Sequence, residues 1–403
     1  MRRLPVLCGI ILGGFLCGTL HGESMEVLEK AYGNKQAWYA SEDFRLNHGR
    51  CATEMLRAQL PLELKASSPS DCSSSRTIAS SGYDPGDVIQ IPVVVHVIQH
   101  PDGDGALTDE MVESQIAILN EDFRALASSP GATGLDAGIE FFLATEDPEG
   151  NPTNGITRST NLTWFRDSGG YMESLAWDPL YYLNIYTNKA SGYLGYVLHL
   201  PADANGAYVG DEEDGVVINW EVFGRNAPGG SPYDQGRTTT HEVGHYLGLL
   251  HPFPDNGEDE DDCVTSDSPA CYSNGDLICD TGVMFEPQFG CPDTDPMQCG
   301  DSDPIQNYMN YTDDLCMDNF TVEQIRRMRC SLQQYRSCLD INGREGKVCT
   351  VTGGGARKTL EEQIWGCGVG GSTSGQQWPG DVLLVLACLA LLHYAAQFSA
   401  GRR

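Results

Sequence analysis

The sequence predicts an α/β domain: a twisted, mostly parallel sheet carrying two main helices, followed by a loop-rich, disulfide-stapled subdomain. Three observations predict it: an unbroken β-branched run at residues 88–98, an amphipathic helix directly after it, and short apolar runs leading to a second long helix at 235–250. A continuous run such as 88–98 suits a strand covered on both faces, as in parallel sheets. Thr108 then caps a helix that carries Val112, Ile116, Leu119 and Phe123 on one side. Apolar runs at 139–144, 180–186 and 216–220 supply further strands. Between 252 and 307 the chain is rich in Asp, Gly, Pro and Cys and lacks both periodicities, which predicts loops held by bridges. A short helix follows Thr321, where Val322, Ile325 and Met328 keep helical spacing, and regular structure closes near Asp340.

The second long helix carries the chemistry. It contains His241-Glu242-Val243-Gly244-His245 and continues through Gly248 to His251. Residues four apart project from one helix face, so His241 and His245 offer two imidazole nitrogens to one zinc ion about 2.0–2.1 Å away. Glu242, beside the first ligand, points toward the open coordination position, where its carboxylate is a general base for zinc-activated water. Gly248 can take the left-handed conformation that ends a helix, which lets His251 reach the metal from another direction. Three protein ligands leave a fourth position free, as in catalytic rather than structural zinc sites. Five fixed matches of this kind arise by chance roughly once in 10⁵ sequences of ordinary composition. The competing class is a zinc-holding binding module without catalysis; such modules usually lack the glutamate, and Glu242 is present.

Around this helix an ordered set of segments resembles the catalytic domain of the pappalysin family of metzincins. The segments are Leu183-Asn184-Ile185-Tyr186, Asp214-Gly215-Val216-Val217-Ile218, Gly236-Arg237-Thr238, His251-Pro252-Phe253, Asn307-Tyr308-Met309-Asn310-Tyr311, Asp314-Leu315-Cys316-Met317, and Phe320-Thr321 with Arg327-Met328. The resemblance implies a metzincin-like zincin fold and an endopeptidase acting on proteins or peptides. It implies that Met309 forms the methionine turn beneath the metal, and that the Tyr311 hydroxyl stabilises an oxyanion beside it. An ordinary core aromatic is the plain alternative for Tyr311, and Asn310 stands where relatives often carry Asp. By the same resemblance Cys263 pairs with Cys299 and Cys291 with Cys316, and Asp276, Asp280 and Thr281 sit where relatives bind calcium, with Gly282 replacing a common proline. Residues 216–220 would be an edge strand to which an extended substrate adds its backbone. Arg50-Cys51-Ala52-Thr53 resembles a cysteine switch, in which the Cys51 thiolate fills the open zinc position and keeps a zymogen latent; a Cys51–Cys72 disulfide is the competing reading.

Two further cysteine pairs are open to the spacing. Cys271 and Cys279 can form a local bridge, whereas Cys330 and Cys338 can pair only if the helix breaks, since eight helical residues span about 12 Å.

The termini place the domain outside the cell. Arg2 and Arg3, an apolar run at 4–20 and polar residues at 22–24 read as a signal peptide over 1–22. An exported chain meets an oxidising compartment, which favours disulfides in the cysteine cluster. Residues 23–84, with a helical stretch at 25–32 and a Ser-rich segment at 67–81, read as a propeptide and cleavable linker, with Arg76 or another bond of the Ser-rich segment as the activation cut. The catalytic domain then spans 85–340 and a linker 341–380. Residues 381–403, with an apolar run at 382–398 and terminal Arg402-Arg403, suit a lipid-anchor signal, a spanning helix or a sorting tag, so membrane attachment through the C-terminus stays open. A formal charge of −31 repels phosphate backbones and excludes nucleic acid as a partner.

Overall fold

The β-branched run forms the spine of a six-stranded sheet as β1 (Ile89–Gln99). The computed structural model describes residues 35–39, 41, 44, 49–53, 56, 72, 81–253, 268, 271–272, 276–282, 284–293, 296–344, 347 and 349. Along one edge β1 pairs in parallel with β2 (Ile139–Leu143) and then with β3 (Ile156–Thr160); along the other it pairs in parallel with β4 (Leu183–Asn188). β6 (Gly215–Asn219) lies parallel to β4, and β5 (Gly195–Val197) closes the sheet antiparallel to β6. Val93, Val94, Val95, Val97 and Ile98 are all buried, as a strand covered on both faces requires.

The strand at 215–219 is therefore interior, which corrects the edge expected at 216–220. Its backbone groups are taken by β4 and β5, so no substrate strand can add there. The edge is β5, three residues long and too short for any periodicity to register.

Helix α1 (Asp109–Phe123) starts at Thr108, whose hydroxyl accepts from the Met111 amide, and buries Val112, Ile116, Leu119 and Phe123. α2 (Arg237–Tyr246) is shorter than the apolar pattern suggested, because Gly236 and Gly248, with φ of 74° and 99°, bracket it in left-handed backbone. α3 (Val322–Gln334) opens with a capping box between Thr321 and Gln324 and is a third full-length helix rather than a short one.

Cysteine pairing follows expectation in part. Cys271–Cys279 and Cys291–Cys316 form, and Cys299 is disulfide-bonded, while Cys263 lies outside the described residues. Cys72 pairs with Cys330 and Cys338 with Cys349, which overturns the Cys51–Cys72 alternative. The helix ends at Gln334, before Cys338, yet Cys330 and Cys338 do not pair with each other, because each is bonded to another cysteine. The signal peptide, the helical stretch at 25–32, the cut near Arg76 and the C-terminal tail lie outside the described residues. Among the described residues no helix is long and apolar enough to cross a membrane.

β1 also buries His96. Its Nε2–H donates to Asn184 Oδ1 (2.9 Å), its Nδ1 accepts from the Thr157 hydroxyl (2.7 Å), and its ring stacks on Tyr186. Burial pushes its pKa from 6.5 down to about 4, so the folded imidazole stays neutral where the unfolded chain takes a proton. The stability this neutral form provides is present above pH 6.5 and is lost as pH falls toward 4. The expected loss is on the order of 3 kcal/mol. Denaturant unfolding across that range should show a shallower acid slope in His96→Gln than in the wild type; identical slopes would assign the acid sensitivity to other groups.

Candidate metal centre and active site

α2 packs beneath β5 and β6 with all ten of its residues buried, so its polar side chains need built partners. His241 Nδ1–H donates to the Tyr308 carbonyl at 2.7 Å, and His245 Nδ1–H donates to the Leu249 carbonyl at 2.8 Å. Each bond fixes the tautomer and leaves an Nε2 lone pair facing the other imidazoles. The turn at Gly248 swings His251 across, and the three Nε2 atoms lie 3.0, 3.1 and 3.2 Å apart. Two tetrahedral zinc ligands stand about 3.3 Å apart, so the donor set fits zinc in chemistry and size. Burial, and then the neighbouring imidazoles, hold His241 well below the usual histidine range, which keeps it neutral as a ligand must be.

The remaining expected residues gather around this triangle. Met309 lies beneath α2, and a Cβ at Gly244 would meet its sulfur at 2.5 Å, so only glycine admits the turn so close. Tyr311 stands beside the imidazoles, its ring centroid 4.9 Å from that of His251 and 5.8 Å from that of His241. Glu242 is fully buried; its Oε1 has no hydrogen-bond partner, and burial pushes its carboxyl up to about 8.

Residues upstream of the sheet cover the fourth side. Cys51 is a free, buried thiol whose Sγ lies with the three imidazole nitrogens in a group spanning no more than 4.8 Å. The thiol donates to Glu242 Oε2 (3.4 Å), as does the Thr53 hydroxyl (3.2 Å). Burial and the Glu242 charge hold the thiol well above its ordinary pKa, a preference that a coordinated divalent cation reverses. The backbone follows the free edge: Ala52 N donates to Gly195 O (3.2 Å) and Val197 N to the Thr53 hydroxyl (2.9 Å). Arg50 is wholly buried, bonded to the Thr312 carbonyl and to Asp314 Oδ1 (2.9 Å), with its guanidinium 4.9 Å from the Tyr233 ring centre.

A family model described as Pregnancy-associated plasma protein-A matches residues 167–333. An extracellular metalloprotease of Colletotrichum graminicola is 34% identical over 259 residues, 62% of this chain and 78% of the relative. One from Coccidioides posadasii is 32% identical over 257 residues, 62% of this chain and 79% of that one. The chain belongs to the pappalysin family of metallopeptidases. Among similar solved structures, a mutant of Tannerella forsythia promirolysin is 34% identical with a TM-score of 0.54, covering 68% of this chain and 88% of its own. Mature mirolysin in complex with a cleaved peptide is 36% identical with a TM-score of 0.53, covering 65% and 98%.

In this pappalysin the three residues expected at calcium do not all converge. Thr281 Oγ1 donates to Asp276 Oδ2 (2.7 Å), but Asp280 turns to the start of α3, accepting from the Thr321 hydroxyl (2.6 Å) and the Glu323 amide (2.8 Å). Sequence reasoning placed Arg50 and Thr53 in the motif around Cys51 without finding their partners, and it missed Asp122; all three have partners more than a hundred residues away along the chain. Asp122 on α1 holds the Arg237 guanidinium (3.0 Å), the Thr240 hydroxyl (2.6 Å) and the Tyr308 hydroxyl (3.0 Å). It thereby ties α2 to the segment whose carbonyl orients His241. Asp122→Ala strands the buried Arg237 and should cost about 3–5 kcal/mol in denaturant unfolding; a loss under about 1 kcal/mol would remove Asp122 from the framework.

Proposed function

We propose that this chain is the latent precursor of a secreted zinc-dependent endopeptidase. The observation that carries the reading is the convergence of three oriented imidazoles on one point, with the Glu242 carboxylate and the Cys51 thiol facing it. His241, His245 and His251 would hold the metal. When bound, zinc supplies Lewis acidity to water and to the scissile carbonyl. Glu242 takes the proton of the attacking water on its carboxylate and returns it to the leaving amine. The Tyr311 hydroxyl, which donates to the Cys51 carbonyl at 3.3 Å in the precursor, would donate to the oxyanion once that segment departs.

The pocket that Arg50 fills also reads as a specificity site, because its floor is the Asp314 carboxylate and its wall the Tyr233 ring. A substrate with a basic side chain satisfies the same partners. Calcium is a structural expectation resting on Asp276 and Thr281, since Asp280 is committed to α3. A zinc-holding module that binds without cutting is the alternative, and the buried Glu242 argues against it.

A peptide-library digest by processed protein tests the mechanism. Glu242→Gln should retain zinc and lose activity by roughly 10²–10⁴-fold, and a chelator should abolish it. Cleavage that survives the Glu242 change overturns the mechanism. For latency, Cys51→Ala should give activity in the unprocessed chain, and an unchanged precursor would count against the switch.

A further inference from the structure

The Cys72–Cys330 disulfide joins the segment that covers the site to the enzyme it covers. Cys330 is on α3, and both cysteines are buried. Cys51 lies amino-terminal to Cys72, whereas β1 begins carboxy-terminal to it, at Ile89. Hydrolysis of a peptide bond between Cys72 and Ile89 adds water across one C–N bond and leaves a carboxylate and an amine. It separates nothing, because the new chain ending after Cys72 is still held through two sulfur atoms.

We propose, resting on the latency reading above, that this disulfide decides which proteolytic cut activates the enzyme. A cut carboxy-terminal to Cys72 yields a two-chain protein in which the covering segment is a retained subunit and latency persists. Activity requires a cut between Thr53 and Cys72, which leaves Cys72 behind as a stub on α3 and frees the part that carries Arg50, Cys51 and Thr53.

The contacts of the retained segment explain why tethering suffices. Trp38, Tyr39 and Phe44 are buried, with Tyr39 and Phe44 packed on Tyr233, and Arg50 fills the Asp314 pocket. A tethered segment rebinds as an intramolecular event, so it gains on the order of 10²–10⁴-fold over the same segment free in solution. Spontaneous opening is then followed by return rather than loss. A cut at Arg76 falls on the wrong side of the tether, whereas a cut within residues 67–71 of the same Ser-rich segment falls on the activating side.

The test uses the full-length chain with a recognition sequence for a site-specific protease placed either in residues 57–71 or in residues 73–80. Three readouts follow each cut: peptide-substrate activity, denaturing electrophoresis with and without reductant, and alkylation of Cys51 read by mass spectrometry. After the 73–80 cut, the segment should stay attached until reduction, Cys51 should stay unalkylated, and activity should remain at the precursor level. After the 57–71 cut, the segment should dissociate on dilution and activity should rise by roughly 10²-fold or more. In Cys72→Ser/Cys330→Ser, if it folds, the 73–80 cut should also activate; the wild-type comparison stands without it. A latent precursor that the 73–80 cut alone activates, with the disulfide intact, overturns this inference and leaves latency standing. An uncut precursor that is already active overturns both.

Discussion

The site depends on two hydrogen bonds from imidazole Nδ1 atoms to backbone carbonyls. The Leu249 carbonyl is available to His245 because Gly248 ends α2 in left-handed backbone, and the Tyr308 carbonyl reaches His241 because Met309 packs against the bare face of Gly244. Those two constraints aim the Nε2 atoms inward, and the same turn at Gly248 delivers His251. The metal site is thus a consequence of how one helix stops and what lies under it. Asp122 extends the control outward by tying α1, α2 and the Tyr308 segment together.

The segment at 49–53 packs on buried polar groups beside the three imidazoles. Arg50 forms a buried ion pair with Asp314, and such a pair loses several kcal/mol when one partner is removed. Asp314 is spared much of that cost, because its Oδ2 also accepts from the amides of Gln235 (2.9 Å) and Arg237 (3.2 Å) at the start of α2. Cys51 and Thr53 both donate to Glu242, so the covering segment engages the proposed general base and the metal position together. Its run along β5 takes the edge of the sheet that β6 leaves unpaired.

The parts of this structure legible in sequence are those whose signal is local. The β-branched run of β1, the Thr108 cap and the histidine spacing each fit within one element, and each appears where expected. The turn at Gly248 was legible because glycine there has one plain mechanical purpose. β5 escaped because three residues carry no period, and β3, Ile-Thr-Arg-Ser-Thr, because most of its residues are only partly buried and polar. The Cys72–Cys330 bridge and the Arg50–Asp314 pair join positions separated by 258 and 264 residues, and nothing local distinguishes them. Cys51 stood out as a candidate thiol only through its neighbours in sequence; that it is free while Cys72 pairs with Cys330 needed the fold.

X-ray absorption at the zinc edge on the purified precursor tests the central claim most directly. One zinc per chain, with three nitrogen ligands at about 2.0–2.1 Å and one sulfur at about 2.3 Å, is the expected first shell. Replacing His251 by Ala should remove one nitrogen. Correctly folded protein that takes up no zinc, or a zinc shell unchanged by the loss of His251, would contradict it.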